Sequence, residues 1–599
     1  MRQIYKNASQ VVIYLGEETP GTIEALYLVN RLNQMAKSHS NAEIFESVRH
    51  DKIAYLSGYF QDFFERSWFS RLWVLQEVVM SVTVPAVICG ESVIPWSDIE
   101  RATILFYDTG LVLATDRLTV DKSYHAILMA ICHEFTGQLD MLDLLQRSSD
   151  FQATDPRDRL FALYGLAADM QSPEAKEQFP IDYSISTNEL YREFTRSYIA
   201  YTKSANLLVN ATESNNIESL PTWAPDWSKG LRSSFLGGPV AATRWKASGT
   251  SSVRMLRSRN LQTLRIGAIL TDSVTWVSNT YEYSDLTLLP QLRRPGYLFR
   301  IWQAVSTHLA GHVNPSDLQD TFWRTLIANT TSDILVPDDT YQIHFLCFWC
   351  NERIADRQAE YYVEKNGPGQ ISIDEQTRVA LTHEQCLVEH CDEEHVASLD
   401  RIMSSKYARS HCATKRTECT EKSCVICDLR KRDPIDCLGA FKLSQPGGRA
   451  HGFELEKDDE FVREHFRRLR NDVLEPGPIV AGKADNYADA LSRALFERRV
   501  FITESGKLGL GPVTTEIGDK VAVISGASMP FVLREAETSP AQDMSTSDSE
   551  GASNPKHYNL IGPAYVHGIM NGEALQHATT HDGAEIKPDE YPWPYIDLV

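Results

Sequence analysis

Arg66-Ser-Trp-Phe-Ser-Arg-Leu-Trp-Val-Leu-Gln-Glu77 packs three aromatic residues, two arginines and one carboxylate into little more than three helical turns. On a surface helix the apolar residues form one stripe and the charges take the opposite face. Here Trp68, Phe69, Leu72, Trp73, Val74, Leu75, Val78 and Val79 cover almost the whole circumference of the helix that the spacing predicts over 60–80. Arg66, Arg71 and Glu77 must therefore find partners in or beside a core, because unpaired buried charge is very costly. Glu77 is either a structural anchor, paired with Arg71 to tie the helix to a sheet, or a catalytic carboxylate.

The flanking sequence supplies the sheet. Residues 1–8 read as the end of an amphipathic helix, and Gln10–Gly16 as a buried strand carrying Val-Val-Ile-Tyr-Leu. Thr22–Lys37 has helical spacing at Ile23, Leu26, Val29, Leu32 and Met35. A strand at Val84–Cys89, a turn at Gly90-Glu91 and a helix start capped by Ser97 follow the motif. Thr154-Asp-Pro-Arg-Asp-Arg-Leu-Phe-Ala-Leu-Tyr-Gly-Leu166 is a second distinctive segment. Asp155 caps a predicted helix with Pro156 at its first position, and Arg157 and Asp158 pair with neighbouring loops. Alternating helix and strand up to about residue 205 predict a three-layer α/β arrangement, within which the first domain is set at 1–168.

Beyond it the expected organisation is a mixed connector and helical region at 169–382, a Cys/His-rich insertion at 383–440 and a helical stretch at 441–498. The connector includes the aromatic, proline-punctuated Leu220–Ser228. Short strands between glycine turns at 499–575 predict a small β barrel or sandwich, interrupted by a disordered Ser/Asp-rich loop at 539–556 and followed by a tail at 576–599.

Composition narrows the function. The chain has 599 residues, 43% hydrophobic and 23% charged, as in soluble globular proteins. A formal net charge of −21 argues against general nucleic-acid binding. No apolar run reaches the ~18 residues of a membrane span. Eleven cysteines without a secretory signal read as reduced thiols, so an intracellular, cytoplasmic setting is expected. Cys424-Val-Ile-Cys427 has the gap of a zinc knuckle, and with Cys412 and Cys419 nearby it could hold a structural zinc. Against this, no second C-x2-C pair accompanies it, and ordinary thiols explain the cluster as well. Neither a zinc-protease H-E-x-x-H nor a phosphate-binding glycine loop is present.

Three segments in order, Ile4–Gly16, Trp68–Glu77 and Asp155–Leu166, resemble the fungal heterokaryon-incompatibility (HET) domain family. Pro221-Thr-Trp-Ala-Pro-Asp-Trp-Ser228, Gly-Leu-Gly-Pro512, Gly-Asp-Lys-Val521 and Tyr565–Glu573 are typical of the same proteins. Family members usually carry two further strand blocks upstream, which this sequence lacks. The first domain is therefore expected to be N-terminally incomplete, and a truncated, non-functional product is one alternative. The resemblance implies a TIR-like, flavodoxin-like α/β fold and a role in non-self recognition (allorecognition) and programmed cell death. That role would work through protein partners, among them another HET- or TIR-like domain. It also implies a different alternative, an NAD glycohydrolase. Trp73-Val-Leu-Gln-Glu77 has the spacing of the TIR glutamate motif, so Glu77 would be catalytic, with Trp73 and Arg71 beside NAD as substrate.

Overall fold

The computed structural model describes residues 2–38, 56–108, 123–211, 220–229, 244–258, 260–279, 297–309, 315–331, 335–337, 483–536, 556–575 and 591–599, with single positions at 44, 341, 345 and 348. The chain divides into two units, one of Met1–Val274, Thr514–Ala564 and Gly568–Val599, the other of Thr275–Val513 and Tyr565–His567. It mixes helices and strands, with its larger sheet system near the C-terminal end.

The first unit opens with α1 (Arg2–Asn7), β1 (Val12–Tyr14) and α2 (Pro20–Met35). Thr19 caps α2 reciprocally with Thr22, and Pro20 fills the first turn where its missing N–H costs nothing. The opening motif follows, not as one helix over 60–80 but as three: α3 (Ser57–Phe64), α4 (Ser67–Ser70) and α5 (Val74–Val79). The breaks fall at the two arginines, both in extended backbone (Arg66 φ −60°, ψ 135°; Arg71 φ −80°, ψ 132°). A continuous helix with apolar residues all round would have drawn its arginines into the core. Breaking it leaves Arg71 exposed while Trp68, Phe69, Leu72, Val74 and Leu75 stay buried.

β2 (Ala86–Cys89), β3 (Ser92–Pro95) and α6 (Trp96–Asp108) come next. The helix starts one residue ahead of the expected Ser97 cap. β1 runs parallel to β2, which pairs antiparallel with β3, so Ile13, Val87 and Ile94 form a buried row. The strand expected to be buried throughout is buried on one face only, since Val12 and Tyr14 are 55% and 59% exposed. Gly90 makes the β2–β3 turn at φ +57°, where a Cβ would also collide with the Glu18 side chain. Phe60, Phe64, Phe69, Trp68, Trp96 and Phe106 pack ring against ring, with Phe64–Phe69 and Phe60–Phe106 centroids both 4.6 Å apart. The helices α7 (Tyr124–Glu134), α8 (Met141–Arg147), α9 (Asp158–Tyr164), α10 (Pro173–Gln178) and α11 (Thr187–Thr202) follow. Asp140, Ser172 and Ser186 cap α8, α10 and α11. Asp155 does not cap α9 as expected. Its carboxylate instead accepts the Arg157 N–H in a local turn, and the helix begins at Asp158. The Leu220–Ser228 stretch is packed, with Trp223 and Trp227 buried and Trp223 Nε1 donating to Gln262 O at 2.9 Å.

The remaining strands are β4 (Met255–Leu256), β5 (Leu264–Val277), β6 (Arg498–Thr503), β7 (Leu508–Pro512), β8 (Lys520–Ile524), β9 (Pro530–Glu535), β10 (His557–Pro563), β11 (Tyr565–Val566) and β12 (Tyr595–Leu598). Within the first unit five of them close a ring. β5 pairs with β12 along Leu264–Gly267 and with β8 along Ala268–Ser273. β8 pairs with β9, β9 with β10, and β10 with β12, the last in parallel. Of the two forms anticipated, barrel or sandwich, the ring is a barrel. Two of its strands lie outside 499–575: β5 belongs to the expected connector, and β12 to the expected tail. β12, four residues long, is too short to announce a strand by periodicity, whereas β5, fourteen residues long, falls where the sequence reads as a strand pair at the start of 260–380 but names no distant partner.

In the second unit β7 pairs with β6 and β11, and Ser278 N donates to Val500 O at 2.8 Å. The helices α12 (Tyr297–His308), α13 (Pro315–Leu326) and α14 (Lys483–Leu495) belong here. Tyr487 and Trp323 are fully buried, and the tyrosine hydroxyl donates to Trp323 O at 2.9 Å.

Candidate functional site

Glu77 lies on α5 and is half-buried. Trp68 Nε1 donates to its Oε2 at 3.0 Å. The Tyr5 hydroxyl, from α1, hydrogen-bonds the same carboxylate, and burial together with that negative neighbour pushes the phenol up to about 12. Both donors are neutral. They satisfy the carboxylate without a counter-charge, which is how a partly desolvated anion is kept in place beside an aromatic core. The ion pair expected with Arg71 is absent among the described residues. Arg71 is exposed, and its backbone bridges to Gln152, where Leu72 N donates to Gln152 O at 2.8 Å.

Trp73 takes a different partner, since its Nε1 donates to Asp158 Oδ2 at 3.0 Å. Tyr183 donates to the other oxygen of Asp158 at 2.6 Å, and burial followed by this bond raises the phenol's pKa. The two indoles of the Trp68–Trp73 motif thus hold two carboxylates, one nine residues away and one 85 residues away. Beside them Arg157 makes a bidentate pair with Asp155, at 2.9 and 2.7 Å, and this hydrogen bonding holds the Asp155 carboxyl below the usual carboxylate range. Arg157 also donates to Ile185 O at 3.1 Å and lies over the Tyr183 ring. Arg66 meets the requirement set by its sequence context: it donates to Leu15 O, Glu17 O and Thr22 Oγ1, joining the end of β1 to the start of α2.

Of the residues expected around NAD, Glu77, Trp73 and Arg71, each therefore has different surroundings. Tyr5 and Tyr183, which complete the two carboxylate cages, carry no sequence signal, because a tyrosine's partner tens of residues away is invisible to local spacing. The thiols of Cys89 and Cys132 are buried, and burial pushes Cys132 up to about 11, so Cys132 is not prepared as a nucleophile. The quartet Cys412, Cys419, Cys424 and Cys427 lies outside the described residues. Among the described residues no cluster of three or more metal-ligating side chains occurs, and no helix is long and apolar enough to cross a membrane.

Two segments match known families. Residues 1–77 match the heterokaryon incompatibility protein (HET) family, and residues 479–583 match the Het-6 beta-barrel domain. Heterokaryon incompatibility protein 6, OR allele, of Neurospora crassa is 36% identical over 85 residues, which are 14% of this chain and 10% of that protein. The chain thus spans about a tenth of the length of the relative it matches. No solved structure matches.

Proposed function

The chain is a HET-family protein, and from that premise we propose that it acts in non-self recognition and cell-death signalling through association with other proteins. The observation that supports association over catalysis is the engagement of Glu77. Its carboxylate accepts hydrogen bonds from Trp68 and Tyr5, while Trp73 is bonded to Asp158 and Arg71 is solvent-exposed. A group that must stabilise charge developing on a substrate needs its oxygens aimed at that substrate. Those of Glu77 hold α1 and α4 to α5 instead.

Expression of the chain in a compatible fungal host tests the role, with growth arrest or death after fusion as the readout. Incubating the purified protein with NAD tests the alternative enzymatic reading. The association reading expects no nicotinamide release. Release that vanishes in a folded Glu77→Gln variant would instead make Glu77 catalytic.

A further inference from the structure

β12 fills a slot between β5 and β10, and its contacts have the form of peptide recognition. Its backbone lies antiparallel on Leu264–Gly267 and parallel to His557 and Tyr558, and both neighbours also bond the residues on either side of it. Ala268 N donates to Pro594 O at 2.8 Å, and Val599 N donates to Tyr558 O at 3.0 Å. The side chains of Ile596 and Leu598 are buried. Between them the buried Asp597 receives Arg265 through Nε and a terminal nitrogen, each at 2.7 Å, with His557 Nε2 at 3.5 Å. The carbonyl of Val599 accepts from Thr222 N at 3.1 Å and from the Thr222 hydroxyl, which in turn accepts from Leu560 N at 2.9 Å. At the other end Gly267 leaves the strand its seat, since a Cβ there would stand 2.9 Å from Trp593 Cβ. Backbone pairing, two apolar seats and one charge-specific seat are the elements by which a sheet selects an added strand.

We propose that this slot is a strand-acceptor site for an extended apolar–Asp–apolar segment, filled in cis by β12 and, by exchange, by β12 of a second copy of the chain. Neither the matched barrel segment, residues 479–583, nor the incompatibility role assigns such a site. A second copy is the occupant because it carries the same Ile-Asp-Leu pattern, and exchange of identical elements preserves every contact made in cis. The residues joining Leu575 to Tyr591 number 15, enough to reach ~50 Å when extended. The balance between the two arrangements is then set by chain concentration.

Two full-length variants separate strand from slot. Asp597→Ala spoils the strand and keeps the slot, whereas Arg265→Met spoils the slot and keeps the strand. Light scattering is expected to show heterodimer in an equimolar mixture beyond what either variant forms alone. A labelled peptide spanning Tyr591–Val599 is expected to bind the Asp597→Ala chain roughly tenfold or more tightly than the Arg265→Met chain, as for loss of one buried charged pair. Equal peptide binding by the two chains overturns the proposal, and so does a mixture with no gain of heterodimer. If circular dichroism shows either variant unfolded, Asp597→Asn and Arg265→Lys take their places with the same readouts.

Discussion

Around the opening motif two carboxylates are met by neutral donors, Glu77 by Trp68 and Tyr5 and Asp158 by Trp73 and Tyr183, while Asp155 beside them takes the Arg157 guanidinium. In the barrel two carboxylates are met by guanidinium groups, Asp597 by Arg265 and Asp519 by Arg534, each through two nitrogens. Burial accounts for the difference. The side chains of Asp597 and Asp519 are 3% and 2% exposed, and an anion so enclosed needs a full counter-charge. Glu77 and Asp158 are half-exposed, so water shares the work and an indole with a phenol suffices. The contacts of Glu77 and Asp158 are thus dipolar, whereas the two enclosed barrel carboxylates are each held by a counter-charge.

The largest effect should come from breaking a barrel pair. Arg265→Met leaves the buried Asp597 carboxylate without its guanidinium, and chemical denaturation should show a loss of about 3 kcal/mol. A loss under ~1 kcal/mol, the range of exposed ion pairs, would erase the contrast between the two regions. At the sheet, Glu77→Ala should cost about 2 kcal/mol by stranding the buried Trp68 N–H, while Glu77→Gln, which keeps an acceptor, should cost less than half as much. Equal losses would mean that the charge of Glu77, and not its acceptor geometry, matters there. Trp73→Phe removes one of two donors to Asp158, and a loss near 1 kcal/mol is expected in the same assay.

The smallest effect is a slope. Burial raises the Asp143 carboxyl above its ordinary value, the negative Asp140 adding to it. A carboxyl raised in the folded state favours folding while it is protonated, below its unfolded pKa, and that contribution is lost as pH rises through its folded pKa. Asp143→Asn should therefore flatten the fall in stability as pH rises above the ordinary carboxylate range, as followed by thermal unfolding. Asp155 has the opposite sign. Held low by Arg157, it contributes stability above its unfolded pKa and loses it as pH falls through the folded one. An Asp143→Asn profile identical to the parent would show that burial at α8 imposes no titration cost.

How much of this was legible in the sequence follows the same division. The local features are readable: α2 from its spacing, the β2–β3 turn from Gly90-Glu91, and β6 to β9 from apolar runs between glycines. The requirement that Arg66 and Glu77 find partners is readable too, from the crowding of apolar residues around them. The partners' identities are not, because Tyr5, Leu15 and Thr22 reach the motif only through folding. Arg71 misled for a related reason: a break in the helix, which periodicity does not encode, frees it to face water. In the barrel, β12 is silent for want of length, and the pairing of β5 with it is hidden because it spans more than three hundred positions.

That span has a consequence for biosynthesis. Arg265 and Asp597 are 332 residues apart, so at ~5–20 residues per second β5 leaves the ribosome about 20–60 s before the strand that completes its ring exists. During that interval one edge of β5 is an unsatisfied template, open to chaperones or to the corresponding strand of a neighbouring nascent chain on the same messenger.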